Sequence, residues 1–223
     1  MSYLTNPYRY VVTEVVYGTI TGDGGEGEDD RVQKALGLTL SDTLWVTEFE
    51  IESTSGGAFV IPLCFSENTG VVAESTFEND ATGFYLNDNW NGFDRVGNPS
   101  VFGTFGYVGG TDSSPRYITM LRQSATALQI NVYTDSARTT HDSSTCGGAC
   151  SGNSGIMNIT ISSAVDNLAY IQSSQECCGH GAHQAYTVTD IKVWNSTNDT
   201  TGSIDFNGIA TGWTQIGTDV TIA

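Results

Sequence analysis

The sequence predicts an all-β protein, two antiparallel sheets packed face to face. Three observations carry that reading. Side chains alternate with a period of two, clusters of Gly, Asn, Asp and Ser punctuate the alternating stretches, and no segment sustains a helical period or a strand-helix-strand succession. The clearest alternation is Leu44 to Glu52 (LWVTEFEIE), where Trp45, Thr47, Phe49 and Ile51 interleave with Val46, Glu48, Glu50 and Glu52. One face of that strand is for a core and the other for water.

The other strands follow in chain order. They are Tyr10 to Ile20, Phe59 to Ser66, Val101 to Val108, Tyr117 to Gln123, Leu128 to Thr134, Ile156 to Ser162, Leu168 to Gln172, Tyr186 to Trp194 and Trp213 to Ile222, each bounded by turn chemistry. Val32 to Leu40 is the stretch most easily mistaken for a helix, and Gly37 argues against one. No linker divides the chain. The expected organisation is an N-terminal arm or first strand over residues 1–20, one domain over 21–199, and a C-terminal strand segment over 200–223.

Composition removes several functions. With 223 residues, 8 Lys+Arg against 25 Asp+Glu and a net charge of −17, the chain repels polyanions, so neither nucleic acid nor an anionic lipid surface is an expected partner. No apolar run is long enough to span a membrane. Ser and Thr make up more than a fifth of the residues, a texture expected of an extracellular, cell-surface or virion protein, although the start MSYLTNPYRYVV shows no secretory signal.

The stretch Tyr117 to His141 (YITMLRQSATALQINVYTDSARTTH) resembles the concanavalin A-like lectin/glucanase jelly rolls of the laminin G type. Ala35 to Glu52 and Leu168 to Trp194, ending in VTDIKVW, fit the same family, and the similarity covers most of residues 20 to 195. The resemblance implies a jelly roll used in carbohydrate binding, adhesion or virion fibres, often with calcium. Its motifs concern scaffold rather than catalysis, so they bear on fold more than on activity. The tail Gly212 to Ile222 (GWTQIGTDVTI) is similar to a segment with which such domains begin, yet here it comes last. Its Trp213, Ile216, Val220 and Ile222 then form a strand that either pairs within its own chain or is given to a neighbouring copy, which repeated head to tail would build a filament.

Chemistry-bearing residues each have a plain alternative. Glu48, Glu50 and Glu52 suggest the paired carboxylates of a retaining glucanase, but that pattern sets an Asp between two glutamates amid sugar-stacking aromatics, so a solvated acidic face is expected. Gly22, Gly24 and Gly27 spell a dinucleotide-type glycine pattern without a helix to follow it. Around it, Asp23, Glu26, Glu28, Asp29 and Asp30 are candidate calcium ligands or a solvated loop. Cys146, Cys150, Cys177 and Cys178 are candidates for two disulfides, with zinc, helped by His180 and His183, as the alternative; Cys64 reads as a buried free thiol.

In NDNWNGFDR, Trp90, Asn91 and Asp94 make a sugar-binding loop or an ordinary one. Asn158, Asn195 and Asn198 begin glycosylation sequons, the last two in a polar turn. His141 reads as a turn residue, and no nucleophile, base and orienter combine into a recognisable catalytic motif. The expectation is a non-enzymatic structural or adhesion protein that self-associates and binds glycans. The alternative is a glycoside hydrolase or an isolated lectin module.

Overall fold

The computed structural model describes residues 19–22, 30–53, 60–69, 80–86, 89–95, 106–110, 114–142, 146–148, 155–175, 185–195, 204–205, 213–218 and 220–222. Among them the regular elements are all strands. They are β1 (Ile20–Gly22), β2 (Arg31–Ala35), β3 (Trp45–Ser53), β4 (Val60–Ser66), β5 (Ala81–Leu86), β6 (Asn89–Arg95), β7 (Gly106–Gly110) and β8 (Arg116–Ser124). After these come β9 (Ala127–Tyr133), β10 (Cys146–Gly148), β11 (Ile156–Thr160), β12 (Tyr170–Gln175), β13 (Tyr186–Asn195), β14 (Ile204–Asp205), β15 (Thr214–Ile216) and β16 (Val220–Ile222).

The strands form two eight-stranded sheets. The first runs β11-β9-β8-β3-β13-β1-β16, with β14 also on β13, and the second runs β10-β7-β6-β5-β4-β12-β2-β15. Each described ladder is antiparallel. This is the jelly-roll sandwich that the alternation predicts. The expected strand at Leu44 to Glu52 is β3, and Val32 begins no helix but lies in β2.

Period two sorts the core. From β3, Trp45, Phe49 and Ile51 point inward with Ile118 and Met120 of β8 and Leu128, Ile130 and Val132 of β9, all at most 1% exposed. They meet Val60, Leu63 and Phe65 of β4, and Phe84 and Leu86 of β5. Two edge-on aromatic pairs stitch the sheets together, Trp45 with Phe65 at 5.0 Å and Phe49 with Phe84 at 5.9 Å between ring centroids. Gly83 permits the close approach of β5 to β4, since a Cβ there would lie 2.5 Å from the Leu63 carbonyl oxygen.

Two inward positions of β8 are charged, Arg116 at its start and Arg122 near its end. Arg122 is fully buried, and its guanidinium donates to the carbonyls of Ser124 (3.2 Å), Val165 (2.5 Å) and Ala125 (2.8 Å). It thereby fixes the β8–β9 turn to the segment before β12, and a partner for each guanidinium nitrogen is what makes such burial tolerable.

The C-terminal segment pairs within its own chain. β15 lies on β2 in the second sheet, whereas β16 lies on β1 in the first, so the tail passes from one layer to the other and closes that side of the sandwich. Val220 is fully buried, Trp213 and Ile222 pack against the core, and Ile216 is exposed. The tail was expected as one strand; it is two, broken at Gly217 and Thr218. There Asp30 accepts a hydrogen bond from the Thr218 amide at 2.7 Å, and Gly217, at φ +77°, sits where a Cβ would overlap the Asp30 carboxylate.

Candidate functional site

On β3 the side chains that miss the core are Val46, Glu48, Glu50 and Glu52. Register places their neighbours on the same outer face. Lys192 and Thr119 flank Glu48, with Asn131 beyond Thr119; Thr189 and Tyr117 flank Glu50, with Tyr133 beyond Tyr117; Thr187 faces Glu52. Trp194, Val46 and Leu121 form an apolar row at one end of this polar surface. Hydroxyls, carboxylates and phenol rings therefore share one sheet face.

The turn after β9 folds back over that face. Asp135 closes it by accepting from the Thr139 amide at 3.1 Å, the Thr140 amide at 2.6 Å and the Thr139 hydroxyl at 3.1 Å. Further along, Asp142 anchors the turn through a buried ion pair with Arg116 at 2.6 Å. Held at both ends, the turn sends Arg138 across the sheet. Its guanidinium lies 3.6 Å from the Glu48 carboxylate, donates to the Phe49 carbonyl at 3.4 Å and stands 5.9 Å from the centre of the Tyr117 ring. Phe49 has no partner on β13, because a bulge between Thr189 and Lys192 interrupts the ladder there.

Strain concentrates here. Among the described residues three non-glycines have positive φ: Arg138 at 54°, Asp190 at 53° and Asn167 at 51°. The first two belong to this face, Asp190 within the bulge and Arg138 at the tip of the turn. Such conformations cost roughly 1–2 kcal/mol and persist where the surroundings impose them, often at functional sites. The bulge lets Asp190 form an ion pair with Lys192 on the face beside Glu50.

Electrostatics separate the carboxylates. Burial, then the nearby Glu52 and Asp190, raise the Glu50 pKa above the ordinary carboxylate value, with Arg138 opposing. Glu48, 4% exposed, is ion-paired to Arg138 instead. The expected solvated acidic face is thus corrected at Glu48, which the returning turn covers. Burial raises the phenols of Tyr117 and Tyr133 as well, helped by Glu50 and Glu48 respectively. His141 stacks on Tyr133 with centroids 4.5 Å apart, and its Nε2 is buried without a hydrogen-bond partner. Burial lowers its pKa, so the imidazole is neutral at pH 7. Arg138 Nε is likewise buried and unbonded.

The residues singled out from sequence fall elsewhere. Trp90, Asn91 and Asp94 lie in strand β6, opposite Leu86, Tyr85 and Thr82 in the register, rather than in a loop. Of the calcium candidates, Asp30 caps the Gly217–Thr218 turn; Asp23, Glu26, Glu28 and Asp29 lie outside the described residues. Cys146 is in β10 opposite Val108, while Cys150, Cys177 and Cys178 lie outside the described residues, as do His180 and His183. Cys64 is a buried free thiol, its pKa pushed up by burial. Asn158 is exposed on β11, accepting from Gln129 at 2.9 Å. Asn195 ends β13, and its side chain bonds the Ser41 amide at 2.7 Å and the Thr39 carbonyl at 3.0 Å; Asn198 lies outside the described residues. Among the described residues no three His, Cys, Asp or Glu side chains are grouped to hold a metal ion, and no helix is long and apolar enough to cross a membrane.

No protein-family model and no curated protein matches the chain. Solved structures do. A heptameric SAP-like pentraxin from Limulus polyphemus is 10% identical, covering 95% of this chain and 96% of its own at a TM-score of 0.47. An alginate lyase from Pseudomonas aeruginosa is 9% identical, covering 70% of this chain and 66% of its own at 0.41, and one from Klebsiella pneumoniae is 6% identical, covering 69% and 60% at 0.36. The chain thus spans about two thirds of the length of those lyases. The two antiparallel sheets themselves form the jelly-roll sandwich that the sequence predicts. The expectation that the chain is no enzyme is corrected by these matches: alginate lyases stand among the similar folds, so lack of a familiar motif does not exclude catalysis.

Proposed function

We propose that the chain recognises a polysaccharide on the outer face of the first sheet, between the Asp135–Asp142 turn and the bulge at Asp190. The observation that carries this reading is the strained, doubly anchored Arg138, set over Tyr117 and Glu48 among side chains that bond hydroxyls. Tyr117 offers an aromatic ring for a sugar face, and Glu50, Thr187 and Thr189 offer partners for its hydroxyls. The abundance of Ser and Thr and the acidic surface suit an extracellular, cell-surface or virion setting.

A second reading rests on a separate observation. Glu48 and Glu50 share the face in unlike surroundings, one ion-paired and one with a raised pKa. Carboxyls divided in that way suit proton transfer, so polysaccharide cleavage is the variant of this function to test alongside binding.

Calorimetric titration with a panel of soluble glycans tests both. Binding by the intact chain that falls about tenfold or more in Tyr117→Ala supports recognition on this face. Product release lost in Glu50→Gln, with binding kept, adds cleavage. No glycan bound, or binding indifferent to Tyr117→Ala, refutes the reading.

A further inference from the structure

Resting on that reading of the outer face, we infer that the glycan it accepts is uncharged, and that Glu48 sets this choice by occupying the Arg138 guanidinium. A polymer of sugar acids carries a carboxylate on each ring, and a protein reads it through arginine or lysine, best by the two-pronged arginine pair. The described cations of the face are Arg138 and Lys192, and each already has an acid, Glu48 and Asp190 respectively. Arg138 is further engaged by the Phe49 carbonyl and the Tyr117 ring.

The acids outnumber them. Glu48, Glu50, Glu52, Asp135 and Asp190 lie on or beside the face, and Glu50 is close enough to Glu52 and Asp190 for their charges to act on it. No described arginine elsewhere comes to their aid: Arg116 is buried against Asp142, Arg122 is spent on core carbonyls, and Arg31 and Arg95 belong to strands of the second sheet. The whole chain, at −17, adds a long-range repulsion for any polyanion. Neutral sugars meet none of these costs, and the same carboxylates accept their hydroxyl hydrogens.

The test uses the intact chain with neutral glucans, mannans and galactans on one side and alginate and polygalacturonate on the other, at low and high salt. Expected is a neutral glycan bound and no measurable affinity for either polyuronate. Glu48→Gln, which keeps the shape and releases the guanidinium, should gain about tenfold or more for a polyuronate at low salt and lose that gain at high salt. Glu52→Gln, at an exposed position, gives a smaller gain in the same direction and serves if Glu48→Gln does not fold. A wild-type chain that binds polyuronate in a manner lost on Tyr117→Ala overturns the inference and leaves the site standing. Folded variants with no gain overturn it as well, and a chain that binds no glycan takes the site and the inference down together.

Discussion

The first sheet buries an arginine on each face, and the two differ in what holds them. On the core side, Arg122 gives its donors to three backbone carbonyls and is fully buried. On the outer side, Arg138 holds one carboxylate, long bonds to the Phe49 and Ser136 carbonyls and a ring, with Nε buried and unbonded. A guanidinium with a partner for each nitrogen is a staple. One whose bonds are long and unfinished is a group that can change partners, which is what recognition requires.

The staple gives the largest expected effect. Arg122→Ala leaves a void and three carbonyls without their donor in the interior, so about 3–5 kcal/mol of stability should be lost, read from the midpoint of denaturant unfolding. A loss below about 1 kcal/mol would mean that water replaces the guanidinium and that the two arginines differ less than their contacts indicate. Asp142→Ala comes next. It strands the Arg116 charge, 8% exposed, at a cost of about 2–4 kcal/mol, and it loosens the turn that presents Arg138. Glycan affinity should fall with it even at temperatures where the variant remains folded; unchanged affinity would separate the anchor from the site.

This contrast was half legible in the sequence. The alternation in LWVTEFEIE fixes which side of β3 is buried, because a shift of one residue would place three glutamates in the core. The hairpin of β8 and β9 was equally readable. What could not be read is which distant residues join Glu48 and Glu50 on the far side. Arg138 looks like any turn residue in TDSART, and only the closure of that turn by Asp135, with the break in the β13 ladder, brings it over Phe49. Asp190 was hidden in the alternation of VTDIKVW, since a bulge shifts the register without marking the composition. β5 and β6 were missed for a related reason. ATGFYL and NWNGFDR carry glycine and asparagine, which propensity assigns to turns, whereas pairing of β5 with β4 and of β6 with β5 and β7 overrides that preference. The tail was legible as strand-forming but not as two strands on different sheets, because its break depends on Asp30, far away in sequence.

Arg138→Ala sharpens the comparison from the other side. Its stability cost should be about 1–2 kcal/mol, well under that of Arg122→Ala, since the ion pair to Glu48 and the bond to the Phe49 carbonyl are both long and an alanine keeps the positive φ unchanged. Its effect on glycan affinity should be the larger, about tenfold, reversing the order seen for stability. If Arg138→Ala destabilises as much as Arg122→Ala, both arginines are staples and the outer face loses its claim to be a site.

The smallest effect is a dependence on pH. Glu50 has a folded pKa above its ordinary 4.5, so between 4.5 and the folded value the native chain holds more protons than the unfolded one, and stability falls as pH rises through that window. His141 acts oppositely. With a folded pKa below 6.5, it leaves the unfolded chain with more protons, and stability is lost as pH falls below 6.5 through the folded value. Glu50→Gln should therefore stabilise at neutral pH, by under about 1 kcal/mol because Glu50 is partly open to solvent, and should remove the decline above pH 4.5 while the loss due to His141 persists. Denaturation midpoints of both proteins across pH 4 to 8 give the difference directly. A Glu50→Gln curve parallel to that of the wild type would show that Glu50 feels neither burial nor its acidic neighbours, and the crowding of negative charge that turns polyuronates away would have to come from Glu52 and Asp190 without it.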